Sequence, residues 1–129
     1  MAKHNQIGIL GEKIAAEFLE GKGFKIVSRN YRKTYGELDL VAFKANKCHF
    51  VEVKSVSWET PRSSGNGVSH ETKNPLENIH PQKVQRLKRV IQVYLVSHEI
   101  KDWEFDIIAV LIDQSKRTAK VRYFEDVIL

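Results

Sequence analysis

The chain predicts an α/β fold, a mixed sheet of about five strands flanked by helices in the order α-β-β-β-α-β-β. Two observations carry this. Residues 5–20 and 81–97 repeat apolar side chains at steps of three and four, the period of an amphipathic helix. Five shorter runs of β-forming residues lie around them, three before the second helix and two after it. That grouping favours a mixed sheet with helices packed against it.

Each element has its own signal. From Asn5 to Glu20 the residues Ile7, Leu10, Ile14 and Phe18 form a stripe, and Gly21 and Gly23 end the helix. Phe24 to Tyr31 reads as the first strand. Gly36 turns the chain into a second, Glu37 to Phe43, and Lys44 to Lys47, with Asn46 among them, reads as a hairpin loop into a third, His49 to Val56. The stretch 58–79 is rich in Ser, Gly, Asn, Thr and Pro and has neither period, so a mobile loop is expected there. Pro81 opens a helix to about Ser97, with Val84, Leu87, Ile91 and Tyr94 inward and Gln82, Gln85, Arg86 and Arg89 outward. Glu104 to Ile112 and Lys120 to Phe124 complete the sheet. With no internal repeat or linker, residues 1–129 read as one domain.

Composition narrows the function classes. The chain is 42% hydrophobic and 29% charged, as in a globular protein. It has no run of eighteen or more apolar residues and no apolar signal core, so no membrane role is expected. Its one cysteine, Cys48, fits a reducing cytoplasm. The net charge is +5, unevenly spread. Residues 22–33 hold Lys22, Lys25, Arg29, Arg32 and Lys33 without an acid, and residues 78–98 hold Lys83, Arg86, Lys88 and Arg89 with none. Such windows suit either a phosphodiester partner or two solvated faces. The scattered histidines, with Cys48 and His49 on opposite faces of a strand, give no zinc pattern.

Charges inside the strands are the sharper signal. Asp39 lies in an apolar run, and Glu52 and Lys54 interrupt another. Residues two apart on a strand share a face, so Glu37 with Asp39, and Glu52 with Lys54, are expected to aim at a common point. Buried charges need partners or a metal, so this cluster reads as a metal site. On the first helix, Glu12 projects from a side carrying Ala15, Ala16 and Leu19. It fits a helix carboxylate favoured by the macrodipole, or one paired with arginine, as well as it fits a site. Asp106 interrupts an apolar strand, where orienting a basic residue is a more natural role than ligation.

Gly11-Glu12, Leu19, Gly23-Phe24, Arg29-Asn30-Tyr31-Arg32, Gly36-Glu37-Leu38-Asp39-Leu40, Phe50-Val51-Glu52-Val53-Lys54 and Phe105-Asp106 together resemble the YraN family, also called UPF0102, small bacterial proteins described as endonucleases. More distantly the chain is similar to archaeal Holliday junction resolvases and the PD-(D/E)-x-K, or restriction-endonuclease-like, superfamily. The resemblance implies that Asp39 and Glu52 are the motif acids, Lys54 the motif lysine and Glu12 the added helix glutamate. Leu38 stands where the motif's name has proline. It further implies Mg²⁺ or Mn²⁺ held by Asp39, Glu52, the Val53 carbonyl and Glu12, with Lys54 at the attacking water, while Glu37 reads either as a group behind these ligands or as a strand-entry charge.

The expected activity is hydrolysis of nucleic-acid phosphodiesters, DNA first, at branched or damaged structures. Arg29, Arg32, Lys83, Arg86 and Arg89 are the expected phosphate contacts. Related resolvases act as dimers, which makes a homodimer compatible with this reading. Two alternatives stand beside it. One is a non-catalytic nucleic-acid-binding module on a nuclease framework. The other is a structural protein whose acid–lysine cluster is an internal salt bridge.

Overall fold

In the computed structural model, which describes residues 3–58 and 79–129, the expected element order is observed. Helix α1 (Lys3–Gly21) precedes strands β1 (Lys25–Lys33), β2 (Gly36–Lys44) and β3 (Lys47–Trp58). Helix α2 (Pro81–Ser97) is followed by β4 (Trp103–Asp113) and β5 (Thr118–Phe124). The expected loop lies almost wholly outside the described residues.

Local chemistry explains the boundaries. Gly23 has φ +92°, Gly23 N–H donates to Glu20 O at 3.0 Å, and Phe24 N–H donates to Leu19 O at 3.0 Å. This is a Schellman ending, for which glycine has the required left-handed freedom. Ala45 and Asn46, at φ 50° and 64°, form a two-residue turn between the paired Lys44 and Lys47. Two positive φ values match the right-handed twist of a hairpin. His80 caps α2, its Nδ1 accepting from Gln82 N–H at 3.1 Å, with Pro81 just behind it.

Among the described residues the sheet has five strands in the order β1-β2-β3-β4-β5. Only β3 and β4 are parallel. A parallel pair needs a crossover, and α2 lies in that connection. The helices cover opposite faces. Leu87, Val90, Ile91 and Tyr94 of α2 pack with Leu38, Val41, Phe50, Phe105 and Ile107. Ala15, Ala16 and Leu19 of α1 pack with Leu40, Ala42, Val51, Ile108 and Val110.

The α1 packing corrects the expected stripe. Leu10 is exposed and Ile7, Ile14 and Phe18 are only half-buried, whereas Ala15, Ala16 and Leu19 are sealed. Small residues let the helix lie close to the sheet. Gly11 marks the closest approach, since a Cβ there would overlap Ser55 Oγ and lie 2.9 Å from Ser55 Cβ on β3. Gly11→Ala is expected to destabilise the fold by about 1–3 kcal/mol through overpacking. In urea denaturation, adding Ser55→Gly should recover most of that loss. A fully additive double mutant would contradict the contact.

Candidate functional site

Strand β2 does not alternate strictly. Leu38 packs on the α2 side and Leu40 on the α1 side, although they are two residues apart. The break falls at Asp39, opposite Asn30 of β1, which has φ 52°. Strict alternation therefore does not hold across Asp39, although Glu37 and Asp39 both act on Lys83 of α2. The β2–β3 register runs from Lys44↔Lys47 to Leu40↔Val51. At the next step Val53 N–H donates not to a strand carbonyl but to Asp39 Oδ2, at 2.8 Å. The Asp39 side chain occupies the gap between the strands and opens a fork, beyond which β3 continues alongside β4 to Trp58.

This fork positions the other groups. In an extended strand, a residue's N–H and C=O project towards the same edge, so the Val53 carbonyl also faces the fork. Val51 packs on the α1 side, so alternation directs Glu52 and Lys54 towards the α2 side. Glu52 is only 5% exposed, and Lys83 Nζ from the first turn of α2 lies 2.5 Å from its Oε2. Burial pushes the Glu52 carboxyl up to about 8, reinforced by repulsion from Asp39 and a hydrogen bond shared with it, against the pull of Lys83. Burial draws the Lys83 ammonium down, but attraction to Glu52, with Asp39 and Glu37 behind it, raises it overall.

Glu12 reaches the fork from α1. Burial raises its carboxyl, as do Asp39 and Glu37, while Arg32 and a hydrogen bond to Asn30 lower it. Its Oε1 is buried with no hydrogen-bond partner. Asp39 thus acts on both Glu12 of the helix and Glu52 of the neighbouring strand, and Lys54 follows on the Glu52 face opposite Ala109.

The predicted basic residues lie on β1 and α2, and several have partners. Arg32 pairs with Glu37 at 3.6 Å and Arg29 with Glu20 at 4.0 Å, both on the surface. Arg89 lies over the Tyr35 ring, 5.4 Å from its centroid, and Arg86 is exposed on the outward face of α2. Lys83, expected at a phosphate, is held by Glu52. A cavity of about 360 Å³ adjoins it, lined by Glu37, His80, Gln82, Lys83, Arg86 and Leu87.

A second polar cluster was not recognised from sequence. Ligand atoms of His49, Glu104 and Asp106 lie within 4.8 Å of one another, the one such group of three found among the described residues. Asp106 is 0% exposed, and its Oδ2 accepts from Tyr123 O–H at 2.6 Å and lies 2.8 Å from His49 Nδ1. Its Oδ1 accepts from Asp126 N–H at 2.9 Å. Asp106 therefore orients His49, the kind of role expected of it, and both its oxygens are engaged. This is a closed network that ties β3, β4, β5 and the segment after β5 together. The missing signal was register, because His49 and Glu104 meet only through the parallel pairing of β3 with β4.

Asp106→Asn should cost about 2–4 kcal/mol in chemical denaturation, since it disrupts a buried, fully bonded acceptor. Glu52 has the opposite pH signature to a stabilising carboxylate. Its folded value lies above the ordinary carboxyl value of 4.5, so the folded state binds the extra proton. Its contribution to stability is complete below about 4.5 and is lost as pH rises to about 8. The metal-free protein's melting temperature should fall across that window, and Glu52→Gln should flatten the slope.

Comparison with known proteins places this chain in a wider group. The model of the family described as "Uncharacterised protein family UPF0102" matches residues 11–110, which include Glu12, Asp39, Glu52, Lys54 and Lys83. A UPF0102 protein of Caldanaerobacter subterraneus subsp. tengcongensis is 38% identical over 115 residues, covering 87% of this chain and 84% of that protein. One from Syntrophomonas wolfei subsp. wolfei is 36% identical over 115 residues, covering 88% and 90%. Another, from Flavobacterium psychrophilum, is 33% identical over 127 residues, covering 98% and 96%. The match runs from α1 through β4 and spans the whole fork, and the chain belongs to the UPF0102 family.

Proposed function

We propose that this protein is a metal-dependent endonuclease that hydrolyses DNA phosphodiester bonds, with Glu12, Asp39, Glu52 and Lys54 as its working groups. The observation that carries the reading is the fork at Asp39, whose carboxyl acts on both Glu12 and Glu52 and beside which a buried Glu12 oxygen lacks a partner. Buried carboxyls cost stability unless a cation or a proton offsets them, and Lys83 reaches Glu52 alone among the three.

The donor set fits a hard divalent ion. Asp39, Glu52, the Val53 carbonyl and Glu12 offer only oxygen, which suits Mg²⁺ or Mn²⁺. Bound there, the ion would polarise a phosphoryl oxygen and lower the pKa of its water. The chain's own groups do the rest. Lys54 orients water and offsets charge on the phosphate, Asp39 remains fixed by Val53 N–H, and Arg29, Arg32, Arg86 and Arg89 hold the nucleic-acid backbone without reading sequence.

The test is cleavage of single-stranded, duplex, flapped and four-way DNA with Mg²⁺ or Mn²⁺. Glu52→Ala and Lys54→Ala should each lower the rate by about 100-fold or more, leaving a folded protein. Duplex affinity should fall steeply between low and high salt. Equal nicking by wild type and both variants would mean that the activity belongs to a contaminant.

One observation favours a second reading. The Glu52–Lys83 pair is an internal salt bridge, as a purely structural role for the cluster requires. That version expects no Mn²⁺ binding and a loss of stability when Glu52 is removed.

A further inference from the structure

The Glu52–Lys83 pair is unequal. The Glu52 side chain is 6% exposed and set in a strand, whereas the Lys83 side chain is 46% exposed and sits on the first turn of α2. A lysine ammonium on a flexible four-carbon stem exchanges partners readily. The carboxylate is the fixed member and the ammonium the movable one. Beside it lies the cavity that Lys83 lines with His80, Gln82 and Arg86, a donor-rich wall suited to an anion. The one acid in that wall, Glu37, is paired with Arg32.

A lysine ammonium and a divalent cation compete for the Glu52 carboxylate, because the two repel each other at that distance. We propose that Lys83 is an exchangeable internal counter-ion of the fork. It holds Glu52 in the absence of metal, yields that carboxylate to a divalent ion, and turns into the adjoining cavity to meet a backbone phosphate. This inference rests on the nuclease reading above. It accounts for a lysine placed among acids where a phosphate-binding residue was expected, and it joins metal loading to substrate capture through one side chain.

Mn²⁺ binding to the full chain, read from the electron paramagnetic signal of the free ion at pH 8, tests it. Lys83→Met should bind Mn²⁺ roughly fivefold tighter than wild type and duplex DNA, with Mg²⁺ present, roughly fivefold more weakly. Opposite signs in one variant are not expected of a merely structural residue. Lys83→Arg, which keeps the charge, should stay within about twofold of wild type in both measurements. Glu52→Gln should lose Mn²⁺ binding.

Unchanged or weaker Mn²⁺ binding by Lys83→Met, with Glu52→Gln still defective, would overturn the counter-ion role and leave the nuclease reading standing. Unchanged DNA affinity would overturn the transfer to phosphate. No Mn²⁺ uptake by wild type or any variant would overturn both readings. Circular dichroism melts establish that each variant is folded, and Lys83→Gln replaces Lys83→Met if the latter is not.

Discussion

The hydrogen bond from Val53 N–H to the Asp39 carboxylate organises the site. A side chain takes the place of a strand carbonyl, so the pairing of β2 with β3 ends without leaving that buried N–H unsatisfied. A charge-assisted bond of 2.8 Å suits this role, since it also fixes the carboxylate in the plane of the sheet. The consequences are geometric. The Val53 carbonyl faces the open gap, Glu52 is presented from the α2 side and Glu12 from the α1 side. A regular ladder would have closed the gap between β2 and β3.

The two polar clusters of β3 differ in how they satisfy their charges. At Asp106 both carboxylate oxygens are engaged by Tyr123, His49 and the Asp126 N–H, and the network joins neighbouring strands. At the fork, the Glu12 and Glu52 carboxyls are raised and one buried oxygen has no partner. A closed network rigidifies, whereas an open one retains unmet affinity for a cation. Lys83 meets part of that demand from a half-exposed position. This contrast separates a closed cluster from an open one on the same strand.

Close backbone approach joins the helices to this arrangement. Gly11 allows α1 to lie against Ser55 beside Glu12, and Gly36 allows β2 to lie against the Arg86 carbonyl of α2. A Cβ at Gly36 would come within 2.9 Å of that carbonyl. Both glycines sit next to site acids, Glu12 and Glu37, so packing and chemistry are set by the same short segments.

Periodicity determined much by itself. The spacing of Leu87, Ile91 and Tyr94, the alternation around Phe50, and turn residues such as Gly23 and Asn46 locate the helices, strands and hairpin closely, because these signals depend on neighbours in the chain. The acids Asp39 and Glu52 also stood out, because charge within an apolar strand is visible without a fold. Tertiary structure decided what local patterns do not encode. The stripe of Ile7 and Leu10 gave way to Ala15 and Ala16, since close approach to a sheet rewards small side chains over large apolar ones. The parallel register brought His49 to Glu104 across more than fifty residues, and the packing of α2 on the sheet brought Lys83 to Glu52. Each of these depends on long-range partners, and a one-dimensional pattern carries no information about which distant side chain arrives.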